Sequence, residues 1–165
     1  MKRSRYLLVI ILTTLLPIIS YGQEKWDIEA GTGMTVVRKD ASVNGYFGIA
    51  YRVTNNMDLN LSSIFAAPHI NSSTRYNFYQ VSFDAEYLFL PESNNSISSI
   101  MGFSYIHFDK NDKVDENNGI GLNLGVRVIF NNLKKFNYGF RIVNTYSSIS
   151  YGGILSTNVF FRYNF

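Results

Sequence analysis

Apolar and polar residues alternate with a period of two along eight stretches of this chain: about Trp26 to Val37, Val43 to Val53, Met57 to Phe65, Tyr76 to Leu90, Ile97 to Asp109, Gly119 to Phe130, Phe136 to Tyr146 and Ile154 to Phe165. Successive side chains on an extended backbone point to opposite faces, so each stretch reads as a strand with one apolar and one polar face. Most are eleven to thirteen residues long, the third being nine and the fourth fifteen, whereas strands of soluble domains average about five or six. A tilted strand that crosses hydrocarbon needs about 9–11. The connections alternate as well. Short turns, TNN, PESNN and NNLKK, follow the second, fourth and sixth stretches, and their asparagine and proline suit tight turn geometry. Longer polar loops, AAPHINSSTR and KNDKVDENN, follow the third and fifth, and the loops after the first and seventh are shorter.

The start of the chain is of a different kind. MKRSRYLLVIILTTLLPIISYGQ opens with Lys2, Arg3 and Arg5, continues with an apolar run from Tyr6 to Ile19, and places small residues at Ser20 and Gly22. This reads as a secretory signal peptide over residues 1–22, cut before Gln23, with residues 23–165 as one domain. A membrane-anchoring helix fits less well, because the run is only about 14 residues against the roughly 20 that span a bilayer, and Pro17 interrupts it. With no cysteine near the cut, no lipid can be attached there.

Removing that segment changes the charge argument. Of 15 basic residues three are lost, which leaves as many bases as the 12 acids. The basic pI therefore belongs to the leader and lends no support to nucleic-acid binding. The absence of cysteine excludes a disulfide-stapled exported scaffold. No later stretch is long and apolar enough for a transmembrane helix, yet aromatics make up 16% of the chain.

Alternation alone does not separate a soluble sandwich, apolar face inward, from a barrel with its apolar face toward lipid. Three features favour the barrel. Aromatics gather at the short-turn end, namely Trp26, Tyr51, Tyr87, Phe89, Phe130, Phe136, Tyr138, Tyr163 and Phe165, as expected of rings at a bilayer interface. The polar face carries many glycines, among them Gly31, Gly33, Gly48, Gly121, Gly125 and Gly139, which suit a crowded lumen beside Tyr46, Phe78 and Phe160 rather than a solvated surface. Charge is also segregated: Asp27, Glu29, Arg52, Asp84, Glu86, Arg127, Arg141 and Arg162 all fall on the polar face and in the short-turn half, while every lysine after the leader lies in a loop, a turn or the N-terminal stub. Inside a narrow barrel those acids and arginines are expected to compensate one another in one lumen charge network, because an unpaired buried charge costs several kcal/mol. The expected architecture is all-β, an eight-stranded antiparallel up-and-down transmembrane β-barrel with both termini on the short-turn, periplasmic side.

The leader, the eight amphipathic strands and the ending Tyr163-Asn164-Phe165 resemble the small outer-membrane β-barrel proteins of Gram-negative bacteria, the group of the OmpA transmembrane domain and its OmpX-like relatives. The resemblance is one of pattern and covers the whole chain after the leader. It implies residence in the outer membrane, contact with outer-membrane lipid, and recognition of Val159, Phe161, Tyr163 and Phe165 by the barrel assembly machinery. It also implies that Arg52, Arg127, Arg141, Glu86 and their neighbours match the family's internal salt-bridge network. About activity the resemblance says almost nothing, since the fold carries pores, adhesins, enzymes and structural barrels.

Chemistry is hard to find in the sequence. His69 lies in a long loop with no nearby acid, and His107 sits near Asp109 and Asp112, a spacing too common to mark a metal site. A lipid-modifying enzyme would need a histidine with a serine and an acid; His107 with Ser104 or Ser147 is the available combination, and neither serine belongs to a motif. The glycines at 119, 121 and 125 follow strand alternation and no helix comes next, so no phosphate cradle is present. The acidic loop KNDKVDENN reads as a solvated tip. The expectation is a non-enzymatic, cofactor-free, monomeric barrel in a structural or binding role, since eight strands leave an interior that side chains just fill. A narrow pore for small solutes or ions is the alternative, a lipid-A-modifying enzyme a lesser one, and a soluble lipocalin-like carrier would require the two faces to be reversed.

Overall fold

The structure, a computed structural model, describes residues 25–37, 40–67, 77–109, 118–147 and 149–165. The leader read at 1–22, His69 and most of both longer loops lie outside the described residues. Eight strands form: β1 (Trp26–Val37), β2 (Asp40–Thr54), β3 (Met57–Ala66), β4 (Phe78–Leu88), β5 (Asn95–Phe108), β6 (Asn118–Phe130), β7 (Phe136–Ser147) and β8 (Ser150–Asn164). Each pairs antiparallel with its sequence neighbours, and β1 closes on β8, so the sheet is an up-and-down barrel without edges. The fold class expected from alternation is therefore present. Boundaries differ by a few residues: β2 begins at Asp40 rather than Val43, β4 is trimmed to Phe78–Leu88, and β8 begins at Ser150 rather than Ile154. At the starts of β2 and β8 backbone pairing carries on past the clear alternation, whereas β4 ends short of it at Leu88.

The seam explains the aromatic ending. Asp27 is paired with Asn164 and Val37 with Ile154, so β8 lies along the full length of β1. Phe165 follows the strand, and its N–H donates to the Trp26 carbonyl at 3.0 Å. The terminal residue thus closes a ladder instead of fraying. Its ring meets that of Tyr163 edge-on at 5.2 Å, and Phe136 touches both Phe161 and Tyr163. Trp26 against Tyr51 and Phe130 against Tyr138 continue the belt round the same end.

Asparagines stitch the short turns into a rim. Asn131 takes a left-handed φ of 58°, a conformation that asparagine tolerates, and its carbonyl accepts from the Lys134 N–H at 2.9 Å. Asn132 reaches the neighbouring turn, donating from Nδ2 to the Pro91 carbonyl, while Asn56 donates from Nδ2 to the Leu88 carbonyl. Backbone polar groups that the ladder leaves open at this end gain partners in this way.

The two faces of the sheet have opposite character. Every strand carries large apolar residues at outward positions, with Phe103 63% and Phe161 59% exposed, whereas inward Phe160 and Arg127 are both at 0%. Even the outward hydroxyls are satisfied locally, Thr32 donating to the Asn44 carbonyl and Thr157 to that of Met34. Side chains fill the lumen. At Gly48 an added Cβ would lie 2.8 Å from the Tyr46 hydroxyl, and at Gly139 2.8 Å from the tip of the Phe160 ring, so these positions must stay bare for the rings to fit.

Candidate functional site

Charges line one band of the lumen, and their strands sort them by sign. Acids come from the first half of the chain: Asp27 and Glu29 on β1, Asp58 on β3, Asp84 and Glu86 on β4. Three arginines come from the second half, Arg127 on β6, Arg141 on β7 and Arg162 on β8, and Arg52 on β2 stands among the acids. An acidic wall thus faces a basic wall across the axis.

Arg127 spans the lumen, donating from Nη2 to Glu29 and from Nη1 to Glu86. Its guanidinium lies 4.6 Å over the Phe160 ring, which adds a cation–π contact in a site cut off from water. Arg162 donates from Nη2 to Asp27 and, at 3.2 Å, to Asp58. Its Nε lies 3.8 Å from Glu29, a longer ionic contact. Arg141 donates to Asp84 at 2.6 Å and to the Ser62 hydroxyl at 3.2 Å, with its guanidinium 5.1 Å from the centre of the Tyr46 ring. Tyr46 in turn donates to Glu29 at 2.6 Å. Arg52 sits at the turn end, partly exposed, and donates from Nε to Asp58 at 3.1 Å. All eight residues singled out in the sequence as charged lumen positions therefore point inward; six of them are linked through Glu29 and Asp58, and the Arg141–Asp84 pair joins them through Tyr46.

Asp58 joins that set and was not singled out in the sequence. The signal was available: it shares the parity of Asn60 and Ser62, both inward. It is the second residue of β3, beside the TNN turn. Asn123 was missed as well; it donates from Nδ2 to Asp84 at 2.6 Å and links the charged band to a neutral cluster of Gln80, Ser82, Ser104 and Thr145.

The serine–histidine combination considered from the sequence does not assemble. Ser104 points into the lumen and donates to Asn123 at 2.5 Å, while His107, of opposite parity on the same strand, points outward. His107 instead joins an outer cluster: Nδ1 lies 2.7 Å from Asn118 Oδ1, which also accepts from the Tyr105 hydroxyl, and Nε2 lies 3.4 Å from Asp109. Ser147 donates to the Ile120 carbonyl. The four C-terminal residues singled out lie at the seam: Val159, Phe161 and Tyr163 outward on β8, and Phe165 just beyond it.

An edgeless eight-stranded barrel with an ionic interior and an apolar exterior is the architecture of small outer-membrane barrels, and known structures bear this out. The chain is similar to the Neisserial surface protein NspA, with TM-score 0.61 at 13% identity over 85% of this chain and 96% of that one. It is similar to the N-terminal β-barrel domain of Pseudomonas aeruginosa OprF, with TM-score 0.56 at 19% identity over 87% and 99%. The outer membrane enzyme PagL also shares the fold, with TM-score 0.56 at 12% identity over 84% and 99%. No protein-family model matches the sequence, and no curated protein matches it. At these identities the likeness is one of fold.

Proposed function

We propose that this chain is an integral protein of a bacterial outer membrane, a monomeric and non-enzymatic barrel with a sealed lumen that serves as a structural or binding body, its loop end facing the exterior. One observation carries the reading: the outward face is greasy on all eight strands while the arginines and carboxylates pair inside. In water this arrangement would expose an apolar belt far larger than the patches that soluble monomers show. In lipid it is the stable one, because backbone groups are satisfied by closure and charges by one another. A non-enzymatic role is supported by the opposite orientation of Ser104 and His107, and a closed lumen by the side chains that fill it. PagL, which has this fold and is an enzyme, keeps the catalytic alternative in view.

Val159, Phe161, Tyr163 and Phe165 are the residues we assign to recognition by the barrel assembly machinery, with residues 1–22 as the leader that exports the chain. Deleting Phe165 removes the terminal ring and its N–H bond to Trp26. The expected outcome is a severalfold drop in heat-modifiable protein recovered from the outer membrane. Undiminished recovery there would overturn the assignment.

A further inference from the structure

The interior changes character along its axis. At the loop end apolar residues cap the bore: Val37 closes β1, Ala66 closes β3, Phe78 opens β4, Phe108 closes β5, and Ile106 and Ile154 sit just inside, next to a buried polar layer of Thr35, Asn44, Gln80, Thr145 and Ser156. Phe78 and Phe108 are a register pair whose rings lie 5.4 Å apart, and Val37 is paired with Ile154. Ile149, in the hairpin between β7 and β8, covers β6: an added Cβ on Gly119 would lie 2.8–2.9 Å from its side-chain carbons. All of these residues are buried. On the outer face the pattern inverts at this level, where His107 and Asn118 point outward.

The band nearer the turn end carries the charges, packed around the Tyr46 and Phe160 rings. Among the described residues it holds five carboxylates against four guanidiniums. Several of its buried atoms make no hydrogen bond: Arg127 Nε, Arg141 Nε, Arg162 Nε and Nη1, and Glu86 Oε1. Buried polar atoms of this kind are completed by water, whereas apolar cavities stay dry. A layer that takes up water does not by itself stop ions; an apolar constriction does, by dewetting.

We infer that the barrier to ion passage in this barrel is the apolar seal of Val37, Phe78, Ile106, Phe108, Ile149 and Ile154 at the loop end, and that the charged band beneath it forms a latent cation-preferring filter. Widening the seal connects that band to the outer solution. The excess of carboxylate then favours cations over anions.

This inference rests on the membrane-barrel reading, and the experiment separates the two. The full-length chain after the leader is refolded into phospholipid vesicles, each variant is checked for the heat-modifiable gel shift, and planar-bilayer currents are recorded in a KCl gradient. The wild type is expected to be silent, as is a Phe78→Leu, Phe108→Leu control. Phe78→Ala with Phe108→Ala is expected to give steady currents with a reversal potential displaced toward that of potassium. Arg141→Met with Asp84→Asn, which thins the charged band but leaves the seal, is expected to stay silent. Silence of the double alanine variant, or currents from the Arg141–Asp84 variant, would overturn the inference while leaving the membrane reading intact. Failure of the wild type to insert would overturn the membrane reading itself. Should the double alanine variant lose its gel shift, Phe108→Asn in the otherwise intact chain makes the same test with one substitution.

Discussion

The two ends of the lumen solve the same packing problem with opposite chemistry. Near the turns, Arg127, Arg141 and Arg162 thread between carboxylates, and stability depends on each charge keeping its partner. Near the loops, Phe78, Ile106, Phe108 and Ile154 fill the same bore with hydrocarbon, and these side chains depend on fit rather than on charge pairing. The consequence is a difference in how each end fails. Removing one member of an ionic set strands the others in a medium that solvates them poorly, whereas removing an apolar side chain leaves a gap that neighbours partly close.

The largest effect should follow from Arg127→Ala. It leaves Glu29 and Glu86 without their shared guanidinium, at a cost of about 3–5 kcal/mol, read as a lower urea midpoint for the refolded barrel in vesicles. A loss under about 1 kcal/mol would mean that the lumen hydrates its carboxylates well and that the two ends do not differ as described. Ile154→Ala in the apolar seal should cost less, about 2–3 kcal/mol, and the loss should be little changed by ionic strength. Strong salt sensitivity there would erase the contrast. The smallest effect belongs to Arg52→Ala, about 1 kcal/mol or less, because Arg52 is partly exposed and Asp58 keeps Arg162. A loss as large as that of Arg127→Ala would move the centre of the network to the rim.

The contrast also shows what a sequence of this kind reveals. Period-two alternation is a local property set by the pleat, so strand number, strand faces and the inward aim of residues such as Glu29 and Arg162 could be read from it. Partners could not. Arg127 and Glu86 lie 41 positions apart and meet across the bore, and their contact depends on the stagger of eight strands at once. Asp58 went unmarked although its parity with Asn60 and Ser62 was readable, since polarity near a strand end is ambiguous. In SYIHF the alternation inverts, with Ile106 and Phe108 inward and Tyr105 and His107 outward, so equating polar with inward fails at the loop end of β5.

All of this depends on which face meets lipid. The chain has no cysteine, so single-cysteine variants at Met101, Phe103 and Leu124, all outward, can each carry one spin label in the refolded protein in phospholipid vesicles. Accessibility to dissolved oxygen and to a water-soluble nickel reagent is then measured at each position. A membrane barrel requires high oxygen and low nickel accessibility at all three. High nickel accessibility there, with the protein remaining in the aqueous phase, would contradict it.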